Sequence, residues 1–173
     1  MFLRQPKVNA SITPSSKRAA REMVSGLDLG VMKYVVELGP GTGVFTDILY
    51  ERLPKDCKVL LIELEEEYIQ PLKEKYDDRF EVIKCSACQL SKLLMERGVT
   101  HVDLVISGLP YTLPNEVKDP LFNTLAELTQ KGTCMRWFTY FPFWMKKHYT
   151  KFPLRKASFV AWNFPPMWIY TVN

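Results

Sequence analysis

Four short runs rich in valine, isoleucine and leucine recur down the first two thirds of the chain, and each is followed by an amphipathic stretch. The runs are KYVVELG (33–39), KVLLIEL (58–64), FEVIKC (80–85) and VDLVISGL (102–109), and helical patterns occupy roughly 44–53, 65–76, 89–97 and 115–130. Strands that are apolar at consecutive positions are buried on both faces, and the βαβα rhythm makes them neighbours in a parallel sheet covered by helices. After Gly132 the pattern changes. TCMRWFTY, ASFVAWNF and MWIYTVN read as strands, with one helical stretch near 143–150. Strands in such close succession predict an antiparallel edge on the parallel sheet, seven strands in all. Neither a repeat nor a low-complexity linker interrupts the 173 residues, so a single domain is expected over 1–173.

The junction between the first strand and its helix narrows the ligand. VVELGPGTGVF (35–45) places Gly39, Gly41 and Gly43 where glycine permits positive φ and lets a ligand lie against the backbone. The spacing lacks the third glycine of the dinucleotide fingerprint and the Gly-Lys-Ser/Thr of a phosphate loop. A phosphate loop has little use for a carboxylate at the strand end. A ligand bearing an amino group does, and Glu37 stands two residues before the first glycine. Twenty residues after Gly43, Glu63 closes the second strand, where an acid accepts both hydroxyls of an adenosine ribose. The competing reading makes Glu63 one more solvated acid in the run Glu63, Glu65, Glu66 and Glu67. It suits the last three better, because they open a helix whose first turn favours negative charge.

VELGPGTGVFT followed by LIELEEEY resembles the cofactor site of class I S-adenosyl-L-methionine-dependent methyltransferases. Within that class the chain is similar to the branch holding rRNA adenine dimethyltransferases and bacterial phospholipid N-methyltransferases, over nearly its whole length. The resemblance implies a Rossmann-like, doubly wound α/β sheet, mostly parallel with an antiparallel C-terminal edge. It implies that Glu37, Gly39, Gly41 and Gly43 receive the methionyl part of the cofactor and that Glu63 holds the ribose. After the third strand the family commonly has Gly-Asp-Ala, whose aspartate contacts the adenine amine, whereas this chain reads Cys85-Ser86-Ala87. A serine hydroxyl still accepts a hydrogen bond, but as a neutral acceptor it is weaker than a carboxylate. Ser86 and Ala87 are the adenine-side candidates.

The fourth strand ends in Ser107-Gly108-Leu109-Pro110-Tyr111, and in doubly wound folds such a strand end faces the reacting group. Adenine amino-methylases resemble one another in an Asn-Leu-Pro-Tyr or Asn/Asp-Pro-Pro-Tyr loop at this place, with the aromatic ring stacked on the base. Here Ser107-Gly108 stands where the asparagine is expected, and SGLP resembles the phospholipid enzymes. Tyr111 then offers its ring to an ammonium or to the sulfonium. PKVNASITPSSKRAAREM resembles the N-terminal segment of those enzymes, with 1–30 acting as a basic lid and helix segment, and WNFPPMWIY resembles the turn joining their last two strands. The reading is a phosphatidylethanolamine-type N-methyltransferase. An rRNA adenine N6-dimethyltransferase is the alternative, and a catalytically silent binding protein on the same fold is a third reading motivated by Ser86.

Charge is segregated along the chain. All 19 acidic residues lie between Glu22 and Glu127, while residues 1–21 carry five basic side chains and residues 128–173 carry seven. Cationic ends around an acidic centre suit a polyanionic partner, either an anionic membrane surface or RNA. The basic tail is also rich in aromatics, and FPFWMKKHY (141–149) is its interfacial candidate. Neither a spanning apolar run nor a secretory signal is present, so a cytoplasmic protein is expected, attached peripherally to the inner face of the membrane. Cys85 and Cys88 have the gap of a zinc or redox pair, but no second pair accompanies them, so ordinary thiols and no metal are expected.

Overall fold

A computed structural model describes residues 14–110, 112–150, 152–161 and 165–172. Its centre is a parallel ladder of β1 (Tyr34–Leu38), β2 (Lys58–Glu63), β3 (Phe80–Lys84), β4 (Leu104–Ser107) and β5 (Cys134–Thr139). The last two strands, β6 (Arg155–Val160) and β7 (Met167–Val172), pair antiparallel to each other, and β7 pairs antiparallel to β5. The spatial order is β3-β2-β1-β4-β5-β7-β6. The chain winds from β1 outward through β2 to β3, then returns across β1 to β4. The crevice between β1 and β4 is therefore the topological switch point, where doubly wound sheets bind ligands.

Side chains of the central strands alternate between two cores. Val35, Val59 and Leu61 face one core with α1 (Pro14–Met23), α2 (Val44–Arg52) and α3 (Glu66–Lys75). Val36, Leu38, Leu60 and Ile62 face the other with α4 (Leu90–Glu96), α5 (Asn115–Gln130) and α6 (Pro142–His148). Full burial of each such aliphatic contributes about 1.5–3 kcal/mol, so both faces of the central strands stabilise the sheet. The N-terminal helix is tied in by polar contacts as well. Arg136, buried on β5, donates to Ser25 O at 3.1 Å, and Ser158 Oγ donates to Glu22 at 2.8 Å.

Two strands are shorter than their apolar runs. Val102-Asp103 precedes β4 because the Asp103 carboxylate accepts the N–H groups of Lys33 and Tyr34 at 2.7 and 2.8 Å, fastening the entry of β1. Within the described residues the expected strand over 157–164 starts earlier, at Arg155, and ends at Val160, with a turn at Ala161.

Candidate active site

Backbone bonds beyond the strand ends hold the loops of the sheet's carboxyl rim in line. Cys85 N–H donates to Glu63 O at 3.0 Å, Gly39 N–H to Ile62 O at 2.8 Å, and Gly108 N–H to Leu38 O at 2.8 Å. Ser86, Glu63, the glycine loop and residues 107–110 are thereby set side by side over three inter-strand spacings, about 14 Å. The fold thus gathers Glu37, Gly39, Gly41, Gly43, Glu63, Ser86, Ala87, Ser107, Gly108, Leu109 and Pro110 at one rim. Tyr111 lies outside the described residues, as do residues 1–13 of the basic N-terminal segment and Trp162, Asn163 and Phe164 of the C-terminal turn.

The loop needs its glycines. Gly39, Gly41 and Gly43 have φ of +68°, +55° and +83°, a region that costs other L-residues about 1–2 kcal/mol each. At Gly43, the residue capping α2, a Cβ would also lie 2.5 Å from the Tyr76 hydroxyl oxygen. That hydroxyl donates to Asp47 Oδ1 at 2.7 Å and stands 3.1 Å from Gly43 O. Burial first, and then the Asp47 carboxylate, push the Tyr76 phenol well above its usual range, so it remains a donor. Tyr76 is a positioning residue that the sequence did not mark, since 33 residues separate it from the loop it holds.

The close approach of β1 and β4 rests on Gly108. A Cβ there would meet the backbone oxygen of Gly39 at 2.7 Å, and that oxygen has no flexible side chain to swing aside. Gly108→Ala is therefore expected to force the two loops apart and lower stability by about 2 kcal/mol, as overpacking does. A thermal melt of the variant checks this. An unchanged midpoint would mean that the rim adjusts freely at the switch point.

The two acids at the rim differ sharply. Glu37 is fully buried in β1, with Oε2 accepting from Thr46 Oγ1 at 2.8 Å and Oε1 lacking any hydrogen-bond partner. Burial pushes its carboxyl up to about 8, against the opposing effect of the Thr46 bond. An orphaned buried acceptor costs about 1–3 kcal/mol, which a ligand N–H or ammonium recovers. Glu63 is also buried, but its oxygens are engaged: Oε2 accepts from Gly41 N–H at 2.9 Å, and Oε1 from Leu64 and Glu65 N–H at 2.7 and 2.9 Å. Three of about four acceptor positions are filled, so Oε2 retains capacity for a hydroxyl donor beside the glycine loop.

Ser86 opens the turn after β3, its hydroxyl accepting the Cys88 thiol at 3.2 Å and keeping a second lone pair. Ala87 is buried behind it. At β4, Ser107 is buried and its hydroxyl lies 3.4 Å from the Leu109 N–H. The residues present fit a ligand with an amino group at one end, a diol in the middle and a hydrogen-bonding base at the other. Thr46 is a further residue that sequence reasoning missed, since a lone threonine in a helix's first turn carries no motif.

Residues 14–151 match the family model described as ribosomal RNA adenine dimethylase. An ornithine lipid N-methyltransferase of Singulisphaera acidiphila is 29% identical over 174 residues, covering 98% of this chain and 90% of that protein. A ribosomal RNA small subunit methyltransferase A of Mycoplasma mycoides subsp. mycoides is 30% identical over 117 residues, covering 65% of this chain and 42% of its own length. Among solved structures, fibrillarin of Aeropyrum pernix with natively bound S-adenosyl-L-methionine superposes with a TM-score of 0.65 at 14% identity, covering 91% of this chain and 76% of that one. Human N-acetylserotonin methyltransferase in complex with the same molecule gives 0.59 at 11% identity, covering 88% and 50%.

Proposed function

The chain belongs to the ribosomal RNA adenine dimethylase family, and from that premise we propose that this S-adenosyl-L-methionine-dependent methyltransferase acts on the primary amine of a phosphatidylethanolamine-type membrane lipid. The observation that carries the reading is the acceptor loop, which has Ser107-Gly108 where an adenine methylase places the asparagine or aspartate that holds the base's amine. The comparisons favour the same side within this chain. Similarity to the lipid enzyme runs over 98% of the chain, whereas similarity to the ribosomal RNA enzyme of Mycoplasma mycoides covers 65%.

When bound, the cofactor supplies a methyl group carried on a sulfonium sulfur. Glu37 would receive the ammonium of the methionyl part at its orphan oxygen, Glu63 the ribose hydroxyls, and Ser86 and Ala87 the adenine edge. Held along the rim by these residues, the cofactor would leave residues 107–110 to receive the acceptor. An acceptor nitrogen at this loop would need its lone pair free to take the methyl that the cofactor supplies. Of residues 107–110 only Ser107 has a polar side chain, so the loop positions the amine and the amine's proton goes to solvent. By residue type, Tyr111, which follows this loop in sequence, is the candidate to meet a headgroup ammonium. No helix among the described residues is long and apolar enough to cross a membrane, and the reading places the enzyme peripherally at the bilayer's cytoplasmic face.

Methyl-labelled cofactor is expected to label the lipid fraction of vesicles containing phosphatidylethanolamine. Ornithine lipid vesicles and unmodified small-subunit rRNA serve as competing acceptors. Label in ornithine lipid alone would keep the amine chemistry and replace the headgroup. Label in RNA alone would remove the lipid reading.

A further inference from the structure

We propose that α6 and the neighbouring end of β6 form the surface by which this protein docks on an anionic bilayer, turning the rim of the active site toward the lipid headgroups; this rests on the lipid reading above. Eight large hydrophobic side chains are exposed among the described residues: Val31, Leu64, Met95, Tyr140, Phe141, Phe143, Trp144 and Phe159. Six of them stand at the carboxyl rim of the sheet. Leu64 follows β2 directly, residues 140–144 follow β5, and Phe159 lies near the end of β6, level with Trp168 and hence with Thr139 at the end of β5. A soluble protein gains nothing from concentrating apolar side chains on one rim, whereas a docking surface does.

The short helix α6 is split along its length. Met145 and Tyr149, four residues apart, are buried against Phe122, Trp137 and Phe152, which fixes the helix to the sheet. Phe143 and Trp144 point the other way, 81% and 64% exposed, with Phe141 at 56% at the N-terminal end. Aromatic rings held outward on a rigid base lose little freedom on insertion, and tryptophan suits the polar–apolar boundary of a bilayer.

Charge selects the partner. Lys147 lies 5.9 Å from the Trp144 ring and Lys156 lies 5.4 Å from the Phe159 ring, so these two exposed rings each carry a cation beside them. Beyond Glu127 the sequence contains seven basic residues and no acidic one. Lysines at this depth meet anionic headgroups while the rings enter the acyl boundary. A lipid amine presented at that level meets the loops beyond β1 and β4, because the same edge of the sheet carries both.

Flotation with vesicles of phosphatidylcholine and phosphatidylglycerol, which offer no methylatable amine, tests the surface apart from the chemistry. Wild type is expected to float with the vesicles, and Phe143→Ser/Trp144→Ser to lose on the order of tenfold or more in partition. Turnover of a short-chain amine lipid dispersed as monomers should be the same in both proteins. Absence of methylation in both would defeat the lipid reading while flotation still reports on the surface. Failure of wild type to float, or equal flotation of the double variant, would overturn the proposal. A second measurement uses lipids brominated along their chains. They should quench wild-type tryptophan fluorescence more than that of Trp144→Phe, which keeps an aromatic ring; equal quenching would overturn the placement. Binding to single-stranded RNA that depends on the same two residues, with no vesicle binding, would assign the patch to nucleic acid and overturn it also.

Discussion

Glu63→Ala is expected to weaken binding of S-adenosylhomocysteine about 5- to 150-fold, the loss of roughly 1–3 kcal/mol that follows removal of a charged hydrogen-bonding partner. Two effects combine in that number. The side chain is the proposed receptor for the ribose hydroxyls, and it also ties down the loop, through Gly41 on one oxygen and Leu64 and Glu65 on the other. Loss of the second function alone frees three backbone donors at the rim and lowers the melting midpoint by several degrees, at about 2–4 °C per kcal/mol for a chain of this size. Calorimetric titration of Glu63→Ala and Glu63→Gln separates the two. Glutamine keeps one carbonyl oxygen for Leu64 and Glu65 but turns its amide NH2, a donor, toward the Gly41 N–H, so it should retain more stability than alanine while still losing affinity. A variant that melts early but binds with wild-type affinity would leave Glu63 a loop anchor and remove it from the cofactor site.

Glu63 also shows how far the sequence reaches. Its place at the end of an apolar strand was enough to separate it from Glu65, Glu66 and Glu67, because only a strand-end residue has its position dictated by burial. The succession of strands and helices, the glycine turn and the antiparallel edge were legible for the same reason: they follow from periodicity and from backbone conformations that few residues adopt. The supporting contacts were not. Tyr76 holds Gly43 and Asp47 across some thirty residues of sequence, and Thr46 meets Glu37 through the packing of α2 on β1. Such pairings depend on how helices lie on the sheet, which no local pattern encodes. The aromatic tail illustrates the same limit. FPFWMKKHY reads as one interfacial segment, yet Met145 and Tyr149 are buried while Phe143 and Trp144 are exposed. Trp137 and Phe152, outside that segment, belong to the core on which it rests.

The buried acid on β1 leads to the second large effect, an affinity for cofactor that climbs with pH. In the unliganded protein Glu37 is raised from 4.5 to about 8, chiefly by burial, so it is neutral through the acid and neutral range. The folded state then binds a proton that the unfolded state releases. The corresponding stability is fully present below about 4.5, declines as pH rises, and is gone above about 8. An ammonium set against Oε1 reverses the preference, since the carboxylate is the better partner for a cation. Binding must expel the proton from Glu37, and between about pH 5 and 7 affinity should rise by up to tenfold per unit. Titrations at pH 6.5 in two buffers of different ionisation enthalpy should show release of about one proton per cofactor bound. Glu37→Gln, which cannot ionise, should bind with a flat pH profile and no proton release. A wild-type protein that binds without releasing a proton would place the cofactor's amino group elsewhere, and Oε1 of Glu37 would remain an orphan that the fold itself must accommodate.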